Sequence, residues 1–132
     1  CIVENWYDFD DAIFSAGRLL QLLSQTTASA DACFAKYPVT VTTPEIKIQT
    51  SEDHKFAVMQ QLAQVGDFGS GAITQIDGIR VDFDNGWGLI RPSNTSPVLS
   101  LRFEADTEAD LQQIQTLFQT QLQRVDSSLA FL

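Results

Sequence analysis

The sequence predicts an α+β fold in which a small antiparallel sheet of about four strands carries two helices packed on one face. Three observations lead there. The runs Glu45–Thr50, Ile79–Phe83 and Val98–Ala105 alternate polar and apolar residues, the period of half-buried strands. Asp84-Asn85-Gly86, between Ile79–Phe83 and Trp87–Arg91, signals a hairpin, because Asn-Gly tolerates the positive φ angles of a tight two-residue turn. Two longer segments, after Ser51 and after Thr107, set apolar residues at helical spacing behind a capping hydroxyl.

In chain order, Cys1–Tyr7 is a short apolar and aromatic run that reads as a strand. Asp8, Asp10 and Asp11 follow, and Ile13, Ala16, Leu20 and Leu23 then keep helical spacing, so a helix is expected from about Asp10 to Ser24. Adjacent carboxylates also suit a metal or acid/base chemistry, but no His or third ligand is near, and capping accounts for them. Ser29 caps a second, short helix through Cys33 and Phe34, which Tyr37-Pro38 ends. Pro38-Val39-Thr40-Val41-Thr42-Thr43-Pro44 changes character. Two prolines around a Thr/Val run predict an extended linker and a domain boundary, since proline has no N–H for a sheet ladder.

Beyond the strand Glu45–Thr50, Ser51 caps a helix with Glu52 and Asp53 in its first turn and Phe56, Met59, Leu62 and Ala63 along the expected buried face. His54, the single histidine, falls on the polar side as a solvated surface residue without a role. Gly66-Asp67-Phe68-Gly69-Ser70-Gly71 has neither the Walker spacing nor G-x-G-x-x-G at a strand-to-helix junction, so it is a connector to the β-like Ala72, Ile73 and Ile76. Asp77-Gly78 marks a turn, and the hairpin strands follow. Val98–Ala105 puts Leu99, Leu101, Phe103 and Ala105 on one face, and Thr107-Glu108-Ala109-Asp110 starts a helix with the stripe Leu111, Ile114, Leu117, Phe118, Leu122 and Val125. The tail Asp126–Leu132 is expected to fray in part.

Composition narrows the function. With 132 residues and 44% hydrophobic content the chain suits one packed domain, or one domain and a piece of another. No apolar run approaches the roughly 18–20 residues that span a bilayer, and no basic segment precedes an apolar one at the start. With 17 acidic and 8 basic residues the net charge is −9, a field that repels nucleic acid and other polyanions. Any anionic ligand must be held by local donors. Cys1 and Cys33 lack the spacing of a zinc or redox site and point to free thiols in a reducing cytoplasm. The apolar opening Cys1-Ile2-Val3, without Met, reads as the start of an excised piece.

Such donors gather in Arg91-Pro92-Ser93-Asn94-Thr95-Ser96-Pro97, between two predicted strands. A guanidinium matches a phosphate edge with two parallel hydrogen bonds, while Ser, Asn and Thr add neutral donors and backbone N–H groups that can form an anion-binding concavity. The prolines limit the loop to few shapes. The same residues are also ordinary turn formers, and from residue types alone a plain hairpin loop with a solvated Arg91 is the stronger reading, because turn chemistry accounts for most of them.

A resemblance separates the two readings. Asp77-Gly78-Ile79-Arg80-Val81-Asp82-Phe83, Gly86-Trp87-Gly88-Leu89-Ile90, the loop itself, Val98-Leu99 and Leu101-Arg102-Phe103-Glu104-Ala105 together resemble the C-terminal domain of the phosphohexomutases, in particular the bacterial phosphomannomutase/phosphoglucomutase enzymes. Trp6-Tyr7-Asp8-Phe9-Asp10-Asp11-Ala12-Ile13-Phe14-Ser15-Ala16 resembles the stretch just after that family's sugar-binding loop. The resemblance implies residues 1–37 as the tail of the third domain, 38–44 as linker and 45–132 as the C-terminal phosphate-binding domain. The family's Arg-x-Ser-Asn-Thr-x-Pro loop falls on Arg91, Ser93, Asn94 and Thr95, which it implies as the ligands of a hexose phosphate, with Pro92 and Ser96 at variable positions. Many relatives carry Glu where this chain has Ser96. Asn94 tilts the reading toward hexose phosphates, because the phosphoglucosamine mutase branch tends to have Gly there.

Such enzymes move phosphate between O1 and O6 of a hexose phosphate through a bisphosphorylated sugar, using a phosphoserine and a Mg²⁺ held by aspartates of earlier domains. The resemblance therefore implies no catalytic residue and no metal ligand in this chain, which alone is expected to be inactive. It also implies the preceding domains of the same chain as partners, and a cytoplasmic enzyme without nucleic-acid or membrane partners. A phosphoglucosamine mutase domain and a stand-alone phosphate-binding or interaction module are the alternatives.

Overall fold

The computed structural model describes residue 7 and residues 10–132. The strand expected over Cys1–Tyr7, Tyr7 apart, lies outside the described residues, as does Asp8. The chain divides into two compact units, Cys1–Pro38 and Val39–Leu132.

In the first unit, α1 spans Ala12–Ser24 and α2 spans Ala30–Phe34. Both are capped by the residue type the physics favours: Asp11 Oδ1 accepts from the Phe14 N–H at 2.8 Å, and Ser29 Oγ accepts from the Ala32 N–H at 3.2 Å. Asp11 is thus a capping carboxylate.

The second unit holds β1 (Val41–Thr42), β2 (Ile46–Gln49), α3 (Glu52–Val65), β3 (Ala72–Thr74), β4 (Ile79–Phe83), β5 (Gly86–Pro92), β6 (Val98–Ala105) and α4 (Glu108–Val125). The sheet is antiparallel throughout, in the order β1-β6-β5-β4-β3, with β2 also on β6. Because β5 takes one edge of β6, β1 and β2 share the other, β1 against Glu104–Ala105 and β2 against Val98–Leu101. Helices α3 and α4 pack on each other and on β5 and β6. The sheet therefore has six strands, the four expected and two short ones at its margins. One of these lies in the expected linker: Val41 pairs with Ala105, and Thr43 exchanges backbone and hydroxyl bonds with Phe103 at 3.0 and 3.1 Å. Prolines 38 and 44 only bracket this run, and the residues between them keep the N–H groups a ladder needs.

The core is the helix-facing side of the sheet. Ile79, Val81, Ile90, Leu99, Leu101, Phe103 and Ala105 meet Leu111, Ile114, Phe118 and Leu122 of α4. Register aligns them: Ile79, Ile90 and Leu101 form one row, Val81, Gly88 and Phe103 the next. Gly88 sits where a side chain would strike Phe118, since a Cβ there would lie 2.7 Å from Cζ of that ring. The α3 face differs from the expected one. Lys55, Val58, Met59 and Leu62 are buried, whereas Phe56 is 51% exposed. The stripe is turned by one residue because Lys55, polar by type, finds acceptors inside.

The tail is docked rather than frayed. Leu129 is buried, the Gln119 carboxamide donates to the Leu129 carbonyl at 2.9 Å and accepts from the Phe131 N–H at 2.8 Å, and the Phe131 ring stacks on Phe103 at 5.4 Å. Asp126 fastens the turn. It accepts from the Ser128 hydroxyl at 2.6 Å and the Ser128 N–H at 2.8 Å, and lies 2.7 Å from His54 Nε2, which ties α3 to the end of α4. Chiefly through the Ser128 bonds, the Asp126 carboxyl is lowered from 3.8 to about 2. A lowered folded-state pKa contributes stability that is present above about pH 4 and lost as pH falls through 2. Asp126→Asn should therefore flatten the acid side of stability: between pH 4 and 2 its urea midpoint should fall less than that of the parent chain, and parallel curves would refute this.

Candidate functional site

Strands β5 and β6 hold the two ends of the loop 93–97. The Ser93 N–H donates to the Val98 carbonyl at 3.0 Å, the Val98 N–H donates to the Ser96 carbonyl at 2.8 Å, and the Thr50 N–H donates to the Pro97 carbonyl at 2.9 Å. A loop braced on a rigid sheet keeps its donors aimed without an ordering penalty at each encounter. Inside it the Ser93 hydroxyl is a hub. Its Oγ lies 3.0 Å from Ser96 Oγ and 3.5 Å from Thr95 Oγ1, and accepts from the Thr95 N–H at 3.3 Å. Asn94 and Thr95 are exposed, and the Asn94 carboxamide has no partner among the described residues.

Arg91 alternates with the buried Ile90 and so projects from the sheet face away from the helices. Its Nη1 donates to Asp77 Oδ2 at 3.1 Å, with both side chains about half exposed or more (47% and 68%). This is a surface pair with a carboxylate that can swing away, worth about 0–1 kcal/mol. It engages one guanidinium nitrogen and leaves the others for a ligand. Beside it, Thr74, Ile76, Arg80, Leu89 and Arg91 line a hollow of about 220 Å³.

Asp77-Gly78 is more than the turn expected from the sequence. Gly78 has φ +128°, and a Cβ there would come within 2.7 Å of Arg91 Cβ and 2.9 Å of its Cα. Only glycine permits that approach. Asp77 reaches Arg91 because of it.

A second carboxylate lies nearby. Glu45 Oε1 accepts from Ser100 Oγ at 2.7 Å, and Lys47 Nζ lies 3.2 Å from Glu45 Oε2; these bonds, Ser100 first, hold the Glu45 carboxyl below its ordinary value, with Arg91 adding a weaker pull.

All four predicted ligands, Arg91, Ser93, Asn94 and Thr95, lie on this one rim. Sequence reasoning missed Lys55, whose Nζ reaches the loop from α3. Its signal was present but easily discounted: with Val58, Met59 and Leu62 it completes the i, i+3, i+4, i+7 stripe. His54 takes no part in the loop; it pairs with Asp126. Among the described residues no three of His, Cys, Asp and Glu gather as metal ligands. No described helix is long and apolar enough to cross a membrane.

Comparisons with known proteins show the family to which the chain belongs. The family described as phosphoglucomutase/phosphomannomutase, C-terminal domain, matches residues 45–120, which include both helices of the second unit up to Thr120 and the whole loop. The chain belongs to the phosphoglucomutase/phosphomannomutase family. A phosphomannomutase/phosphoglucomutase from Pseudomonas aeruginosa is 52% identical over 126 residues, 96% of this chain and 27% of the relative. A phosphoglucomutase from Neisseria gonorrhoeae is 41% identical over 117 residues, 87% of this chain and 25% of the relative. The crystal structure of a phosphoglucomutase/phosphomannomutase family protein from Burkholderia thailandensis superposes with a TM-score of 0.82 at 33% identity, covering 98% of this chain and 27% of that one. The chain thus spans about a quarter of these relatives and corresponds to the C-terminal part of the family's fold.

Proposed function

We propose that this chain is the substrate-phosphate-binding C-terminal part of a phosphomannomutase/phosphoglucomutase, an enzyme that interconverts hexose 1-phosphate and hexose 6-phosphate through a bisphosphorylated sugar. Residues 1–37 are then the tail of the third domain, 38–44 the connection, whose Val41 and Thr42 are drawn onto the sheet, and 45–132 the domain that grips phosphate. The observation that carries this reading is the braced rim on which an exposed Arg91 stands next to the Ser93, Asn94 and Thr95 donors. Arg91 takes one edge of the phosphate with its fork, and the hydroxyl and amide donors take the remaining oxygens.

Phosphoryl transfer depends on positioning and on charge stabilisation. A site that holds the non-reacting phosphate supplies orientation, while the phosphoserine and the Mg²⁺ of the cytoplasmic enzyme belong to segments outside these 132 residues. This chain alone is then inactive.

The test is a titration of the ¹⁵N-labelled chain with glucose 1-phosphate, glucosamine 1-phosphate and glucose. The expected result is movement of the Asn94, Thr95 and Ser96 amides and the Arg91 Nε–H with the hexose phosphate at millimolar concentration, and none with glucose. Response to glucose alone, or a phosphate response confined to other residues, would overturn the assignment. A markedly stronger response to the aminosugar phosphate would move it to the phosphoglucosamine mutase branch.

A further inference from the structure

Lys55 is wholly buried, yet an ammonium removed from water is strongly unfavourable unless each of its three N–H donors finds an acceptor. Here each does. Nζ donates to Glu52 Oε1 at 2.5 Å, to the Ser93 carbonyl at 2.6 Å and to the Ser96 carbonyl at 3.2 Å. Two of its three bonds therefore go to the main chain of the candidate phosphate loop, from residues 38 and 41 positions away. The Phe56 ring centroid stands 4.9 Å from the same ammonium.

The consequence follows from peptide geometry. In a trans peptide the C=O and the next residue's N–H point in opposite directions, and no peptide bond among the described residues is cis. Holding the Ser93 carbonyl toward Lys55 turns the Asn94 N–H the other way, out of the loop. The Ser96 carbonyl is followed by Pro97, which has no N–H, so that bond anchors the loop's end without aiming a donor. The Ser93 and Thr95 N–H groups already serve Val98 and the Ser93 hydroxyl. Asn94 and Ser96 supply the backbone donors that remain, and of the two the Asn94 N–H belongs to the peptide whose carbonyl Lys55 holds.

We propose that Lys55 is a positioning residue for phosphate recognition: by pinning the Ser93 and Ser96 carbonyls behind the loop, it presents the Asn94 backbone N–H to the bound phosphate. The role rests on the reading of this loop as the phosphate site. Glu52 is 63% exposed on its side chain and completes the ammonium's set, but the two carbonyl bonds do the orienting.

The experiment is the glucose 1-phosphate titration of the ¹⁵N-labelled chain, parent and variants, followed at individual amide protons. In the parent, the Asn94 amide proton should move downfield on saturation. In Lys55→Met that movement should vanish and affinity should fall about tenfold or more, the effect of losing one charge-assisted bond, while Arg91 Nε–H still responds. Glu52→Gln should bind within about twofold of the parent, as expected for the loss of an exposed pair. The core amides of Leu101 and Phe103 report whether each variant is folded. If Lys55→Met does not fold, the parent still decides: Arg91 and Thr95 responding while Asn94 stays still overturns the role of Lys55 and leaves the phosphate site standing. Full retention of the Asn94 shift and of affinity in a folded Lys55→Met does the same. Silence of every loop residue in the parent overturns the phosphate site itself, and the role of Lys55 with it.

Discussion

If the loop grips a substrate phosphate as proposed, replacing Arg91 by alanine in a full-length chain that carries this domain is expected to weaken substrate binding about 10- to 150-fold, seen as a fall of that size in kcat/KM. The figure follows from the roughly 1.5–3 kcal/mol of a hydrogen bond to a charged group, at about 1.4 kcal/mol per tenfold. One term works against it. One guanidinium nitrogen of Arg91 is paired with Asp77, and a ligand that takes the fork through that nitrogen must displace the carboxylate. A half-exposed pair of this kind contributes about 0–1 kcal/mol, so the exchange still favours phosphate. Arg91→Lys should keep part of the affinity, because the charge survives and the planar fork does not. Unchanged steady-state kinetics in Arg91→Ala would contradict the site.

The second large effect is on stability. Phe118 is fully buried between Phe68, whose ring centroid is 4.9 Å away, and Phe103, which meets it edge-on at 5.2 Å. It also closes over the backbone at Gly88. Phe118→Ala should lower unfolding free energy by about 3–5 kcal/mol, through lost burial and the cavity left behind. Typical domains have about 5–15 kcal/mol in all, so the urea midpoint should drop steeply. Phe56→Ala is the matching control. That ring is half exposed, and its loss should change stability by about 0.5 kcal/mol or less. Equal losses in the two variants would mean that the buried face of α3 has been misplaced.

The contrast between these two phenylalanines marks where local pattern succeeds. Phe118 belongs to a long stripe whose every member faces one way, so the period of α4 identified it without ambiguity. In α3 two stripes offset by one residue compete, Phe56 with Met59 and Ala63, Lys55 with Val58 and Met59. Counting residue types favours the first. The second wins because three acceptors, two of them in a loop far along the chain, satisfy the ammonium.

Local chemistry in the chain therefore determined the strands β2 to β6, the hairpin between β4 and β5, whose turn is Asp84-Asn85, the caps at Asp11, Ser29, Ser51 and Thr107, and the grouping of Arg91, Ser93, Asn94 and Thr95, because each depends on neighbours within a turn or a strand period. The tertiary structure alone decided that Val41 and Thr42 join the sheet, that the tail folds back on Phe103, that Asp77 reaches Arg91 and that Lys55 lies beneath the loop. Each of these is a pairing between distant residues. Such pairings leave no periodic trace in the sequence, since what stabilises them is a partner that only the folded chain brings near.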